Sequence, residues 1–277
     1  MSSRRKFIRD IAAASLSVAA LSNTYATPFA RNVGLQLSTV SELLEKDVHR
    51  TLEQIAKVGY KEVECSKLPG MDAKQTMEAL KNAGLKSPCS MILLKDVKDN
   101  LTTAATLQEV LLMGKKYVTM AWIPAKTLDD FKKTADKFNE LGELFEKHKI
   151  YFCHHNHAFE FEKVDGQIPY DILLNETDPN LVHFEMDLYW VRKGGQNPVD
   201  YLKKYPGRFP LWHVKDMDSS PEKNIVEVGQ GIIDFQEIFT YARHAGLEHY
   251  FVEQETPGPD KLKSIQISYD TVSRLKY

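Results

Sequence analysis

Residues Asp47–Cys65 read DVHRTLEQIAKVGYKEVEC. The first part, Asp47 to Val58, carries its apolar residues at helical spacing, and Lys61–Cys65 reads as a short strand. Between them Gly59 stands where a helix hands over to a strand, a place at which glycine takes positive φ at low cost. The same punctuation returns at Ala83-Gly84-Leu85 and Ala245-Gly246-Leu247. Working outward, strands are expected at Val33–Leu37, Lys61–Cys65, Leu85–Met91, Tyr117–Trp122, Ile150–His155, Leu181–Asp187, Pro210–Val214 and Tyr250–Glu253. Helical segments follow them, near Asp47–Val58, Asp72–Ala83, Asn100–Gly114, Leu128–Lys149, Tyr170–Glu176, Val199–Lys204, Phe235–Ala245 and the C-terminal stretch. Eight strand–helix units in about 250 residues point to a single α/β (β/α)8 barrel. An open doubly wound sheet would favour a Gly-rich loop after the first strand, and Leu37-Ser38-Thr39-Val40 offers none.

The chain has 277 residues, 36 Lys+Arg against 38 Asp+Glu, and a formal net charge of −2. No basic excess attracts a phosphate backbone, so nucleic acid is not an expected partner. With 43% apolar and 27% charged residues, disorder, a collagen-like fibre and a disulfide scaffold are excluded. Cys65, Cys89 and Cys153 are odd in number and match no zinc-knuckle spacing. Residues 1–26, MSSRRKFIRDIAAASLSVAALSNTYA, place Arg4, Arg5, Lys6 and Arg9 before an apolar run from Ile11 to Leu21. That order is expected of a secretory signal peptide, and Ser3–Arg9 resembles a bacterial twin-arginine signal. The alternatives are an ordinary Sec signal or an uncleaved anchor. The apolar run falls short of the ~20 residues of a membrane span. The expectation is export to the periplasm, cleavage after Ala26, a single domain over 27–277 and no membrane span after cleavage.

Active residues of such barrels sit at the C-terminal ends of the strands, and inward-facing side chains alternate along each strand. On strand five His155 and His157 share one face while His154 takes the other. Strand six puts Glu185, Asp187 and Tyr189 on one face, strand seven His213 and Lys215, strand eight Glu253 and Glu255. A lone buried His is ordinary core, but four successive strands here each deliver a His, Asp or Glu at the same end. A buried carboxylate is costly unless paired or bound to metal. His155, Asp187, His213 and Glu253 are therefore the expected ligands of one divalent metal ion. Two nitrogens with two carboxylates suit Mn, Fe, Co, Ni or Zn better than Ca or Mg.

Gly34-Leu35-Gln36-Leu37, His155-Asn156-His157, Asp187-Leu188-Tyr189-Trp190, His213–Asp218, Val228-Gly229-Gln230-Gly231 and Phe251–Glu255 together resemble the sugar phosphate isomerase/epimerase family of xylose isomerase-like TIM barrels. The resemblance runs from about Asn32 to the end. It implies a metal-dependent sugar isomerase or epimerase that abstracts a proton next to a carbonyl through a metal-stabilised enediolate. It also implies the ligand set His155, Asp187, His213 and Glu253. Many members carry Glu-Asn-His on strand five; this chain has His155-Asn156-His157, which puts a two-glutamate epimerase mechanism in doubt. No Gly-rich phosphate cradle or Arg cluster is visible.

The candidate acid–base residues are His157, Glu185, Glu253 and Lys215, with the Lys215 pKa expected to fall beside a bound cation. Gln36, Glu64, Trp122, Tyr189 and Glu255 are the expected substrate contacts, with Trp190 a further ring for stacking. Phe159–Glu162 reads as a hairpin arm, a lid or the contact of a homodimer. The expected substrate is a sugar or keto-sugar. Expulsion of a β-substituent from the same enediolate would make the enzyme a lyase or dehydratase, for instance on a 3-keto-glycoside. A non-catalytic periplasmic sugar-binding protein is the reading from another class.

Overall fold

A computed structural model describes residues 32–276; the export signal expected in residues 1–26 lies outside them. The strands are β1 (Gly34–Gln36), β2 (Glu62–Glu64), β3 (Cys89–Ile92), β4 (Tyr117–Met120), β5 (Tyr151–His155), β6 (Val182–Asp187), β7 (Leu211–Val214), β8 (Asp216–Met217), β9 (Ile225–Val226) and β10 (His249–Val252). Eight of them form one parallel sheet in the order β2-β1-β10-β7-β6-β5-β4-β3, while β8 and β9 make a small antiparallel ribbon. The sheet is a nearly closed barrel wrapped by helices. No helix among the described residues is long and apolar enough to cross a membrane.

The last gap lies between β2 and β3. A single parallel pairing spans it, Val63 N–H to Lys86 O at 2.8 Å and Lys86 N–H to Lys61 O at 3.0 Å. Beside it the buried Lys115 ammonium donates to Cys65 O at 3.0 Å, Ser87 Oγ at 2.5 Å and Cys89 O at 3.3 Å. The third strand is shorter than the sequence pattern suggests because Pro88 has no N–H to give to a ladder. Pairing begins at Cys89.

The helices follow the expected units closely, with Val48–Val58 burying Leu52 and Ile55 against the barrel wall. Each such side chain contributes about 1.5–3 kcal/mol by leaving water. Gly59 ends that helix at φ +129°, and a Cβ there would overlap the Tyr269 ring. The expected helix near Phe235–Ala245 is two pieces, Phe235–Phe239 and Ala242–Ala245, and Thr240 Oγ donates to Glu237 O where the first stops. Short helices at Ser41–Lys46 and Leu188–Lys193, and the β8–β9 ribbon, were not expected. The Val228–Gly231 turn is drawn onto Asp216, whose carboxylate accepts the N–H groups of Met217, Gly229, Gly231 and Ile233. Gly231 passes so close that a Cβ would meet Met217 O and the Asp216 carboxylate.

The stretch read as a hairpin arm is instead a 3₁₀ turn, Ala158–Phe161, packed into the body. Glu160 is fully buried, and Phe161 stacks near Tyr170 at 4.6 Å and Tyr201 at 5.6 Å. Anchored on both sides, this turn has no free arm to serve as a lid.

Candidate active site

Alternation on β5 separates the three histidines as the period-two pattern requires. His154 points outward between Phe138 and Phe184, and its Nε2 meets the buried Glu160 Oε1 at 3.0 Å. The other Glu160 oxygen accepts the His157 N–H at 3.0 Å, which fixes the chain as it leaves the strand. Asn156 ties β5 to β6: its Oδ1 accepts Asp187 N–H at 3.2 Å and its Nδ2 donates to Asp187 O at 3.3 Å. His155 and His157 turn inward with ring centroids 5.0 Å apart, and His155 lies 4.5 Å from His213.

Asp187 caps the helix Leu188–Lys193, its Oδ1 accepting Trp190 N–H at 2.9 Å. This leaves Oδ2 buried, with no backbone donor, between the Lys215 ammonium at 3.1 Å and the rings of His155 and His213. His213 at the end of β7 places Nδ1 3.0 Å from Glu253 Oε2 and 3.9 Å from Asp187 Oδ2. His155 Nε2 stands 3.9 Å from the same Asp187 oxygen. One ligand-type atom from each of His155, Asp187, His213 and Glu253 falls within 4.8 Å of the others. The residues fit a divalent ion. Their donors suit a transition metal, and Asp187 Oδ2 lies 3.9 Å from a ring nitrogen of each histidine.

Lys215 reaches into this group as a counter-ion. Its Nζ, fully buried, lies 3.1 Å from Asp187 Oδ2, 2.8 Å from Glu253 Oε2 and 2.7 Å from Glu255 Oε1. Burial works against the ammonium, but the three carboxylates outweigh it and raise its pKa. The fall expected from the sequence belongs to the state with a bound cation; the protein groups around Lys215 are acids and act the other way. Burial likewise opposes the Glu253 carboxylate, yet Lys215 and His213 pull its pKa well down. Burial pushes Asp187 up, with Lys215 and His213 opposing. Burial also holds His155 and His157 below the usual imidazole range, so both rings stay neutral. For His213 burial is overcome by Glu185, Glu253 and Glu64, which raise it.

Four expected site residues are placed elsewhere. Glu64 and Gln36, read as groups at the mouth, are 0% and 5% exposed. They are bonded to each other at 2.6 Å, and Glu64 Oε2 meets His213 Nε2 at 2.7 Å. Glu185, read as a base, is buried on the far side of the imidazoles, 3.5 Å from His155 Nδ1 and 3.4 Å from His213 Nε2. Burial and then Glu64 raise its pKa. Tyr189, read as a stacking platform, is buried, with its hydroxyl donating to Lys223 O and accepting from Lys193 Nζ, both at 2.8 Å. At the rim stand His157, Trp190 at 5.5 Å from it, Phe159 at 6.2 Å, and beyond Phe159 the half-exposed Trp122. Glu255 is also part-exposed there. The tethers Asn156 and Glu160 were missed; each follows a strand-five histidine closely in sequence, which was the available signal.

The xylose isomerase-like TIM barrel family model matches residues 52–273. Inosose dehydratase 2 of Bacillus cereus is 26% identical over 152 residues, 49% of this chain and 50% of that protein. The chain therefore spans about half the length of the curated relatives it matches. A sugar phosphate isomerase/epimerase of Parabacteroides distasonis superposes with a TM-score of 0.78 at 25% identity, covering 92% of this chain and 99% of that one. The IOLI protein, whose crystal structure holds a zinc atom, gives 0.70 at 18% identity over 88% of this chain and 99% of that one, a likeness of fold alone.

Proposed function

The chain belongs to the xylose isomerase-like TIM barrel family, and from that premise we propose that it is a divalent-metal-dependent enzyme that removes the proton beside the carbonyl of a keto-sugar and expels a β-substituent. A metal held by His155, Asp187, His213 and Glu253 supplies Lewis acidity towards the carbonyl oxygen. The observation that carries the reading is this four-residue cluster, two imidazoles and two carboxylates with ligand-type atoms within 4.8 Å of one another, at the C-terminal ends of successive strands.

The chain's own groups provide one base and one acid. His157, kept neutral by burial and 5.0 Å from the His155 ring, accepts the proton. The C–H electron pair forms the new C=C bond as the β C–O bond breaks. Lys215 Nζ, held charged by Asp187, Glu253 and Glu255, donates a proton to the departing oxygen, and solvent resets both groups. Glu185 lies behind the imidazoles and Glu253 is held low by two cations. A second base for epimerisation therefore lacks a candidate. The dehydratase names among the relatives support elimination. The Parabacteroides neighbour favours a second reading, isomerisation or epimerisation by return of the same proton. Zinc in the IOLI structure agrees with the donor set. Residues 1–26 fit delivery to the periplasm, which fractionation of cells expressing the chain with Arg4 and Arg5 intact or replaced would test.

The activity test incubates the Co(II)-, Mn(II)- or Zn(II)-loaded protein with a cyclic keto-polyol and with a 3-keto-glycoside in D2O. An enone chromophore lost in His157→Ala supports elimination. Deuterium in recovered sugar without enone supports the second reading. Tight sugar and metal binding with neither would make the chain a binding protein.

A further inference from the structure

Beneath the four ligand-type residues lies a second layer that the proposed reaction does not use. Glu64, Cys89 and Glu185, all buried, bring their side-chain atoms within 4.8 Å of one another. Each of the two imidazoles has one nitrogen towards the upper group and the other towards this layer. His155 turns Nε2 to Asp187 and Nδ1 to Glu185 Oε2 at 3.5 Å. His213 turns Nδ1 to Glu253 and Asp187, and Nε2 to Glu64 Oε2 at 2.7 Å.

The Glu64 oxygen is not free to follow the ring. Gln36 Nε2 donates to that oxygen at 2.6 Å, and Gln36 Oε1 accepts Ser38 N–H at 3.1 Å, which sets which way the amide faces. The 3₁₀ turn after β1, Leu37–Val40, thus anchors a chain of three hydrogen bonds that ends on His213. Ser38 Oγ also donates to Glu253 Oε1 at 3.1 Å, so one turn braces two of the four ligand-type residues. An imidazole binds metal only through a nitrogen without a proton, and the partner of the other nitrogen decides which one that is.

We propose that Glu64, oriented by Gln36, is a positioning residue for His213: it takes the Nε2–H and so commits Nδ1 to the metal. Without it the ring is free to keep its proton on Nδ1, bonded to Glu253 at 3.0 Å, which joins two ligands to each other instead of to the ion. Glu64 touches no substrate in this role. The inference rests on the metal-centre reading above.

The experiment measures the Co(II) dissociation constant and visible absorption of wild type, Glu64→Gln, Glu64→Leu and Gln36→Leu, with thermal melts of each metal-free protein. Loss of such an outer partner typically weakens a metal by about 10–100-fold, which is expected for Glu64→Leu together with a changed Co(II) spectrum. Glu64→Gln, whose amide oxygen still accepts, is expected to lose less, and Gln36→Leu to fall between wild type and Glu64→Leu. If Glu64→Leu does not fold, several-fold weakening in Glu64→Gln carries the result. Dissociation constants within about twofold of wild type in every folded variant would overturn the proposal, even if melting temperatures drop. A wild type that binds no Co(II) would instead remove the metal centre itself, and this inference with it.

Discussion

Replacing Lys215 with methionine removes the ammonium and keeps most of the chain's volume. In the metal-free protein Nζ sits 3.1 Å from Asp187 and 2.8 Å from Glu253, with no exposure of its own. Its third partner, Glu255, is 43% exposed, so that contact contributes at most about 1 kcal/mol. The two buried contacts dominate. Removing one partner of a buried ion pair costs about 3–5 kcal/mol, since a charge is left uncompensated. For a domain of this size each kcal/mol moves the melting temperature by about 2–4 °C. The metal-free Lys215→Met protein should thus melt about 6–20 °C below wild type. A divalent cation between the same carboxylates supplies the missing positive charge, so saturating Co(II) should raise the variant's melting temperature more than the wild type's. The assay is a pair of thermal melts, in chelator and in excess Co(II). Equal melting of the two metal-free proteins would show that Lys215 is not the counter-ion of this cluster. Equal gains on adding metal would show that the cation does not enter between those carboxylates.

Lys115→Met should lower stability by about 2–4 kcal/mol, because Cys65 O and Cys89 O lose a buried charged donor where the barrel closes; urea unfolding measures it, and a loss below 1 kcal/mol would mean the β2–β3 gap holds by the Lys86 pairing alone. His183 has no hydrogen-bond partner for either nitrogen among the described residues, and burial, helped by Arg208, pushes its pKa down to about 4. A depressed histidine leaves stability intact above the unfolded pKa near 6.5 and loses it as pH falls through 4. His183→Gln should therefore remove about 3 kcal/mol of acid sensitivity between those limits, read as a wild type that loses about that much more stability than the variant when pH is lowered. His155→Ala should abolish stoichiometric metal while retaining the fold; elemental analysis of the purified variant showing one metal per chain would take His155 out of the ligand set.

The side on which each site residue falls was legible, and its depth was not. Period-two alternation separated His154 from His155 and put Asp187, His213, Lys215 and Glu253 on the inner face, where they are found. Parity cannot distinguish Asp187 from Glu185, two residues back on the same face. In a tilted barrel that step carries Glu185 behind the imidazoles, and the strand tilt is set by pairing across all eight strands. Gln36 and Glu64 stand in β1 and β2 as expected, but they are buried and bonded to each other and to His213 instead of opening at the mouth. The Phe159–Glu162 turn was misread because its alternation looks like a strand with one wet face. Glu160 is instead an acid buried against His154 and a backbone N–H.

The histidine at the strand-five position has a physical reason in this lower layer. The family resemblance implies glutamate there, but His155 Nδ1 faces a buried Glu185 oxygen at 3.5 Å. A carboxylate in that place would face the Glu185 carboxyl at about the same distance, and two buried acids so close must either repel or share a proton. His155→Glu alone should therefore bind Co(II) at least about tenfold more weakly, one decade for each 1.4 kcal/mol that the metal fails to offset. His155→Glu combined with Glu185→Gln removes the opposing charge and should return most of that loss. Glu185→Gln alone acts on His213, 3.4 Å away, rather than on neutral His155, so its own dissociation constant sets the second single-variant corner. The three dissociation constants with wild type close a double-mutant cycle whose coupling should lie within the 0.5–3 kcal/mol typical of contacting residues. Additive effects would mean that His155 and Glu185 do not sense each other, and that the strand-five histidine was set by something other than the acid behind it.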